Sequence, residues 1–187
     1  MKVLFEKGTY RLLGAQIVGF DGVDKRIDVL ATAIRAGLKA YKLSELDLAY
    51  APPYSSAKDP VNMAGFIIEN IKNGIVKQWY YEDTERLQKD ENVTRLDTRM
   101  PHEYSRGHVE GFINIPVDEL RERIDELDKT KPVYVICQSG LRSYIATRIL
   151  AGNGFDCYNF AGGFRFYDAV HNDRELNKKS TPCGMDN

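Results

Sequence analysis

The chain has 187 residues, 43% hydrophobic and 28% charged, an ordinary globular composition that excludes a wholly disordered, collagenous or fibrous chain. Its 26 Lys and Arg stand against 27 Asp and Glu, so no excess positive charge is available to neutralise a phosphate backbone, and a nucleic acid is not expected as the main partner. Apolar runs are too short to cross a bilayer, and the N-terminus breaks into charge after five residues without a signal-peptide core, so a cytoplasmic protein with no membrane partner is expected.

Residues 2–19 predict a β-hairpin turning at Glu6-Lys7-Gly8-Thr9. Asp24 is placed to cap a helix in which Ile27, Leu30, Ile34 and Leu38 recur at three- and four-residue steps. An apolar segment at 46–50 then meets Ala51-Pro52-Pro53, which neither a helix nor a central strand accommodates. Asp59-Pro60 starts a second helix, a carboxylate cap followed by proline at the first position, running through Phe66, Ile67 and Ile71 to Gly74.

Beyond Gly74 the rhythm changes. Residues 76–80 and 93–97 read as strands around a charged stretch at 82–91, and Val117, Leu120, Ile124 and Leu127 make one helical stripe. Val133–Ile136 is a continuous apolar run, as expected of a strand buried on both faces. A helix at 144–150, a strand at 157–160, a turn at Gly162-Gly163 and a last short helix at 164–170 follow. The alternation predicts an α/β fold with a mostly parallel sheet flanked by helices. We divide the chain into an α+β segment at 1–74, the parallel-sheet domain at 75–175 and a flexible tail at 176–187.

Three cysteines form no CxxC, and the three histidines are not at zinc-ligand spacings, so no metal site is predicted. Chemistry concentrates at Cys137-Gln138-Ser139-Gly140-Leu141-Arg142-Ser143, where a buried strand ends at the cysteine, a short glycine-containing loop follows and a helix begins. Open α/β sheets bind ligands at the carboxyl ends of their strands. Backbone N–H groups curled at a helix N-terminus, with Arg142 nearby, would favour an anion on the Cys137 sulfur. Cys157, among Phe155, Tyr158 and Phe160, reads as core, whereas Cys183 lies in the tail, where a resolving role stays open.

Arg95-Leu96-Asp97-Thr98-Arg99, Glu103-Tyr104, Gly107-His108-Val109-Glu110-Gly111, Asn114-Ile115-Pro116, the Cys137 loop and Ala161-Gly162-Gly163-Phe164 occur in the order of the rhodanese pattern, and residues 76–172 resemble that family. The resemblance implies a sulfurtransferase in which Cys137 takes a sulfane sulfur as a persulfide and passes it to a thiol acceptor. Gln138, Ser139, Gly140, Leu141 and Arg142 would supply the loop amides. Asp97, Arg99 and Glu103 would support the loops, a buried Asp–Arg pair being expected to fix them rather than touch substrate. His108 reads as a structural hydrogen-bonder. Phosphatases and arsenate reductases of this fold carry five residues between cysteine and arginine. Here four intervene, a smaller ring that suits one sulfur atom better than a tetrahedral oxyanion.

Lys7-Gly8-Thr9, Leu13-Gly14-Ala15-Gln16-Ile17-Val18-Gly19, Gly22-Val23-Asp24-Lys25-Arg26-Ile27-Asp28 and Leu48-Ala49-Tyr50-Ala51-Pro52-Pro53-Tyr54 resemble part of the dimerisation domain of pyridine nucleotide–disulfide oxidoreductases. The likeness is greatest to coenzyme A disulfide reductases that carry a C-terminal rhodanese domain. It implies a homodimer, with Tyr50, or nearby Tyr54, at the position of a tyrosine lent to the partner's site. The sequence has no Gly-x-Gly-x-x-Gly, so FAD and NAD(P)H lack their phosphate loop, no cofactor is expected in this chain, and flavin-dependent reduction would require upstream domains. The expected function is sulfur transfer at Cys137 from a small-molecule persulfide or thiosulfate. The alternatives are a non-catalytic dimerisation and docking module, or an arsenate reductase or phosphatase.

Overall fold

Met1–Ile75 and the residues from Val76 onward form separate units in the computed structural model, which describes residues 1–179. In the first unit, Lys2–Phe5 (β1) pairs antiparallel with Leu12–Gln16 (β2), as the hairpin pattern predicts. Helix α1 (Val23–Arg35) is preceded by Gly22 in the left-handed region; Asp24, predicted as the cap, sits instead in the first turn, where its charge faces the positive helix end. The helix stops before Leu38. Gly37 adopts φ 69° and donates to the Ile34 carbonyl, while the Leu38 N–H reaches back to Ala33, so the last turn closes in a Schellman-type arrangement.

A 3-10 turn at Ala40–Glu45, which has no sequence periodicity to announce it, packs on helix α2 (Pro60–Lys72). The cap of α2 forms as expected. The Asp59 carboxylate accepts the Val61 N–H at 2.9 Å, the Asn62 side chain accepts the Asp59 N–H at 3.2 Å, and Arg26 pairs with Asp59 at 3.1 Å. Leu12, Leu30, Leu43, Val61 and Ile68 form the core of this unit.

The second unit is a five-stranded sheet of β3 (Lys77–Trp79), β4 (Thr94–Asp97), β5 (Ile113–Asn114), β6 (Val133–Ile136) and β7 (Cys157–Phe160) in the order β3-β7-β6-β4-β5, every pair parallel. Helices α3 (Thr84–Lys89), α4 (Pro101–Tyr104), α5 (Leu141–Gly152) and α6 (Gly163–Lys179) connect or follow the strands. All four residues of β6 are buried. Val133 and Val135 join one core with Leu96, Ala146 and Leu150, while Tyr134 and Ile136 join the other with Trp79, Phe160 and Tyr167. The alternation places a core on each face of the sheet.

Three expectations are corrected. Residues 117–127 are a series of tight turns ending in a 3-10 turn at Ile124–Glu126, not one α-helix, although Leu120 and Leu127 are buried as predicted. Steps of three residues suit 3-10 turns as well as α-helix, and the backbone bonds Glu119 to Pro116 and Leu120 to Val117 are of that tighter kind. The last helix does not end at 170 but runs to Lys179, so 176–179 of the expected tail are helical. Its apolar periodicity ends there, and residues such as Asp173 and Arg174 continue the helix with exposed side chains. The remainder of the tail, with Cys183, lies outside the described residues. Among the described residues no helix is long and apolar enough to cross a membrane.

The tightest approach in the first unit is Gly65 of α2 against the 3-10 turn, where an added Cβ would lie 2.1 Å from the Ser44 nitrogen. Gly65→Ala is expected to destabilise this unit by roughly 1–3 kcal/mol through overpacking, although alanine is the better helix former. Urea unfolding followed by circular dichroism measures it; the lone tryptophan, Trp79, reports on the second unit only.

Candidate functional site

β6 runs between β7 and β4, so Cys137, the residue after it, lies at the carboxyl end of an interior strand. The loop that follows is clamped from the β7–α6 turn: the Phe164 N–H donates to the Cys137 carbonyl at 2.7 Å and the Arg165 N–H to the Gln138 carbonyl at 3.2 Å. Gly163 permits this approach. It has φ 71°, and a Cβ there would stand 2.5 Å from the Gln138 carbonyl oxygen. At the other end, Gly140 takes φ 106° to start α5, which turns its own N–H onto the Cys137 sulfur at 3.1 Å.

Ser143, in the first turn of α5, places its Oγ 3.2 Å from the same sulfur. Cys137 is 1% exposed and Ser143 is fully buried. The sulfur is thus faced by two hydrogen-bond donors, one backbone N–H and one hydroxyl. Of residues 138–142, it is Gly140 whose backbone N–H bonds the Cys137 sulfur itself. Ser143 is the residue that sequence reasoning passed over. Its only signal was a hydroxyl in the first helical turn behind the loop.

Arg142 is redirected. Its guanidinium forms a two-pronged pair with Glu103, at 2.6 and 2.7 Å, rather than a bond to the sulfur. Glu103 also accepts the Met100 N–H at 2.9 Å, which fixes α4 beside the loop. The Arg142 guanidinium is the chief reason that the Glu103 carboxyl is lowered from 4.5 to about 2.

Asp97 and Arg99 lie at the end of β4 and are almost wholly buried. Asp97 accepts the Arg99 backbone N–H at 2.9 Å and pairs with its guanidinium at 2.8 Å. That guanidinium also donates to the Gly107 carbonyl at 2.7 Å and to the Gln138 side chain at 3.3 Å, and it stacks 3.9 Å above Phe164. Asn114 bonds the Asp97 and Arg99 carbonyls at 2.9 and 2.8 Å. These residues shape the loop's surroundings without a bond to the sulfur.

Ser139 and Leu141 are exposed on the loop. His108 stacks on Tyr104 and bonds its carbonyl. Cys157 donates to the Thr147 carbonyl at 3.2 Å, and burial pushes its thiol up to about 11, the signature of a core cysteine. Tyr50 belongs to the first unit, where it is half exposed and lines a small hollow with Asp59 and Asn62; Tyr54 is more exposed still. Among the described residues no three His, Cys, Asp or Glu side chains converge as metal ligands.

Residues 81–169 match the rhodanese-like domain family, and residues 1–61 match the dimerisation domain of pyridine nucleotide-disulphide oxidoreductases. A coenzyme A disulfide reductase of Staphylococcus haemolyticus is 50% identical over 66 residues, 35% of this chain and 15% of that protein. The crystal structure of reduced Bacillus anthracis CoADR-RHD matches 92% of this chain and 31% of its own, with a TM-score of 0.88 and 45% identity. A NAD-dependent persulfide reductase from A. fulgidus matches 88% of this chain and 29% of its own, with a TM-score of 0.76 and 42% identity. The chain therefore spans less than a third of the length of these relatives.

The Glu103–Arg142 pair gives a pH dependence of defined sign. The carboxyl's folded value lies below its unfolded one, so its contribution to stability is complete above pH 4.5 and is lost as pH falls toward 2. Over that window the wild-type second unit is expected to lose on the order of 2 kcal/mol more than Glu103→Gln, allowing for partial solvent screening. Urea titrations followed by Trp79 fluorescence, run on both proteins across the window, measure the difference.

Proposed function

We propose that this chain is the sulfur-transfer part of a persulfide or coenzyme A disulfide reductase, since residues 81–169 match the rhodanese-like domain and residues 1–61 the oxidoreductase dimerisation domain. The observation that carries the reading is the Cys137 sulfur faced by the Gly140 N–H and the Ser143 hydroxyl at the end of a buried parallel strand. A sulfur anion at that point is a nucleophile, held toward the incoming donor by the same two groups, and the Cys137 sulfur regains that charge when it leaves in the second step.

In the first step the Cys137 thiolate attacks the outer sulfur of a persulfide, R–S–SH. A new S–S bond forms to Cys137, the donor's S–S bond breaks, and the electron pair leaves on R–S⁻. In the second step an acceptor thiolate attacks the outer sulfur of Cys137–S–SH, forms its own persulfide and returns Cys137 as thiolate. Net oxidation does not occur, and neither step calls on a metal or organic cofactor. Donors of this kind are worth about 2.7–4 kcal/mol each at an oxyanion; a larger, softer sulfur anion gains less. Burial keeps bulk water from the persulfide.

Small-molecule persulfides such as those of coenzyme A or glutathione are the donors we favour, in a cytoplasmic homodimer paired through the first unit. FAD and NAD(P)H would then be bound by segments other than these 187 residues, which contain no dinucleotide-binding glycine pattern. The 1% exposure of Cys137 is the observation that favours a second reading, a dimerisation and docking module without catalysis.

Brief exposure to a persulfide donor or thiosulfate, followed by intact mass and peptide mapping, separates the two. Gain of one sulfur atom on the Cys137 peptide is expected, reversed by thiol or cyanide and absent in Cys137→Ser. A Cys137 peptide left unmodified by both donors would overturn the transfer reading in favour of docking.

A further inference from the structure

Asn159 lies in β7, beside the strand that ends at Cys137, and is 7% exposed. Its side-chain Oδ1 is buried and has no hydrogen-bond partner among the described residues. An unpaired buried amide oxygen costs stability, so an apolar side chain would serve the core better and the asparagine needs another reason.

The other end of the amide supplies one. Nδ2 donates to the Gly140 carbonyl oxygen at 3.4 Å. The same oxygen accepts the Tyr144 N–H at 3.1 Å, the bond that closes the first turn of α5. A carbonyl oxygen has two lone pairs, and these two donors fill them. A third claimant stands by: Ser143 Oγ is 3.2 Å from the Gly140 oxygen and 3.2 Å from the Cys137 sulfur. Its hydroxyl has one proton and serves one acceptor at a time.

We propose that Asn159 is a positioning residue which, by occupying the Gly140 carbonyl, turns the Ser143 proton onto the Cys137 sulfur. Asn159 acts on the sulfur only through Ser143. The arrangement matters most when the sulfur is anionic, since hydrogen bonds to a charged acceptor are roughly twice as strong as neutral ones. The meaning of the arrangement rests on the sulfur-transfer reading, whereas the arrangement itself is measurable without any sulfur donor.

The test is the pH profile of Cys137 alkylation by iodoacetamide in the full chain, followed on the Cys137 peptide. It is run on wild type, Asn159→Leu, Ser143→Ala and the double variant, with urea titrations to verify folding. Asn159→Leu is expected to fold, to move the profile to higher pH and to slow alkylation at neutral pH about tenfold. Ser143→Ala is expected to do the same, and the double variant to be no slower than Ser143→Ala alone, the non-additivity of residues acting in series. A wild-type profile in Asn159→Leu, or two effects that multiply in the double variant, would overturn the proposal. Should Asn159→Leu fail to fold, Asn159→Ala carries the same two expectations. Failure of persulfide loading with the expected alkylation pattern would remove the sulfur-transfer reading and leave the role of Asn159 standing.

Discussion

One buried guanidinium holds the ground on which the sulfur loop stands. Arg99 is 1% exposed, yet its charge is met by the Asp97 carboxylate, the Gly107 carbonyl, the Gln138 side chain and the face of Phe164. Those partners come from four different stretches: the end of β4, the segment after α4, the Cys137 loop and the start of α6. An ion pair in such a place contributes little net stability compared with an apolar replacement, because both charges lose their water. What it supplies is register. A guanidinium has five donors in a fixed plane, so three of these segments must each bring an acceptor to its edge at a set angle and distance, while the fourth lays a ring against its face.

Within that frame the loop is built from backbone conformations that most residues avoid. Gly140 and Gly163 both have positive φ, and the space beside Gly163 is filled by the Gln138 carbonyl. The result is an N–H aimed at a sulfur atom. Cys157 shows what happens to a buried cysteine without such a frame. Twenty residues on, at the start of β7, its sulfur gives its proton to the Thr147 carbonyl and its surroundings favour the neutral thiol. Burial alone therefore does not distinguish the two cysteines; the polarity of the groups turned toward each sulfur does.

Much of this was legible in the sequence where a single physical rule decides the outcome. An unbroken apolar run such as Val133–Ile136 has no stable place except between two cores, and Asp59-Pro60 can do little but open a helix. The strand–cysteine–glycine–helix order likewise located the loop. Where two rules compete, the sequence reading failed: the spacing of Val117, Leu120, Ile124 and Leu127 suits an α-helix and a set of 3-10 turns alike. Residues whose role depends on a distant partner carried no local signal. Arg142 beside a cysteine suggests a cation for the sulfur until Glu103, thirty-nine residues away, is seen to take it. Asn159 and Ser143 meet at a carbonyl that neither could reveal alone.

The sheet also ends in its two shortest strands, β3 with three residues and β5 with two. An approaching extended chain would find only a few free ladder positions on either side, too few to recruit a stable extra strand. Stubby borders of this kind are a defence against edge-to-edge aggregation. The second unit is thereby discouraged from growing sideways into fibres or swapped sheets, and its interior strand, with the thiol at its tip, stays a feature of one chain.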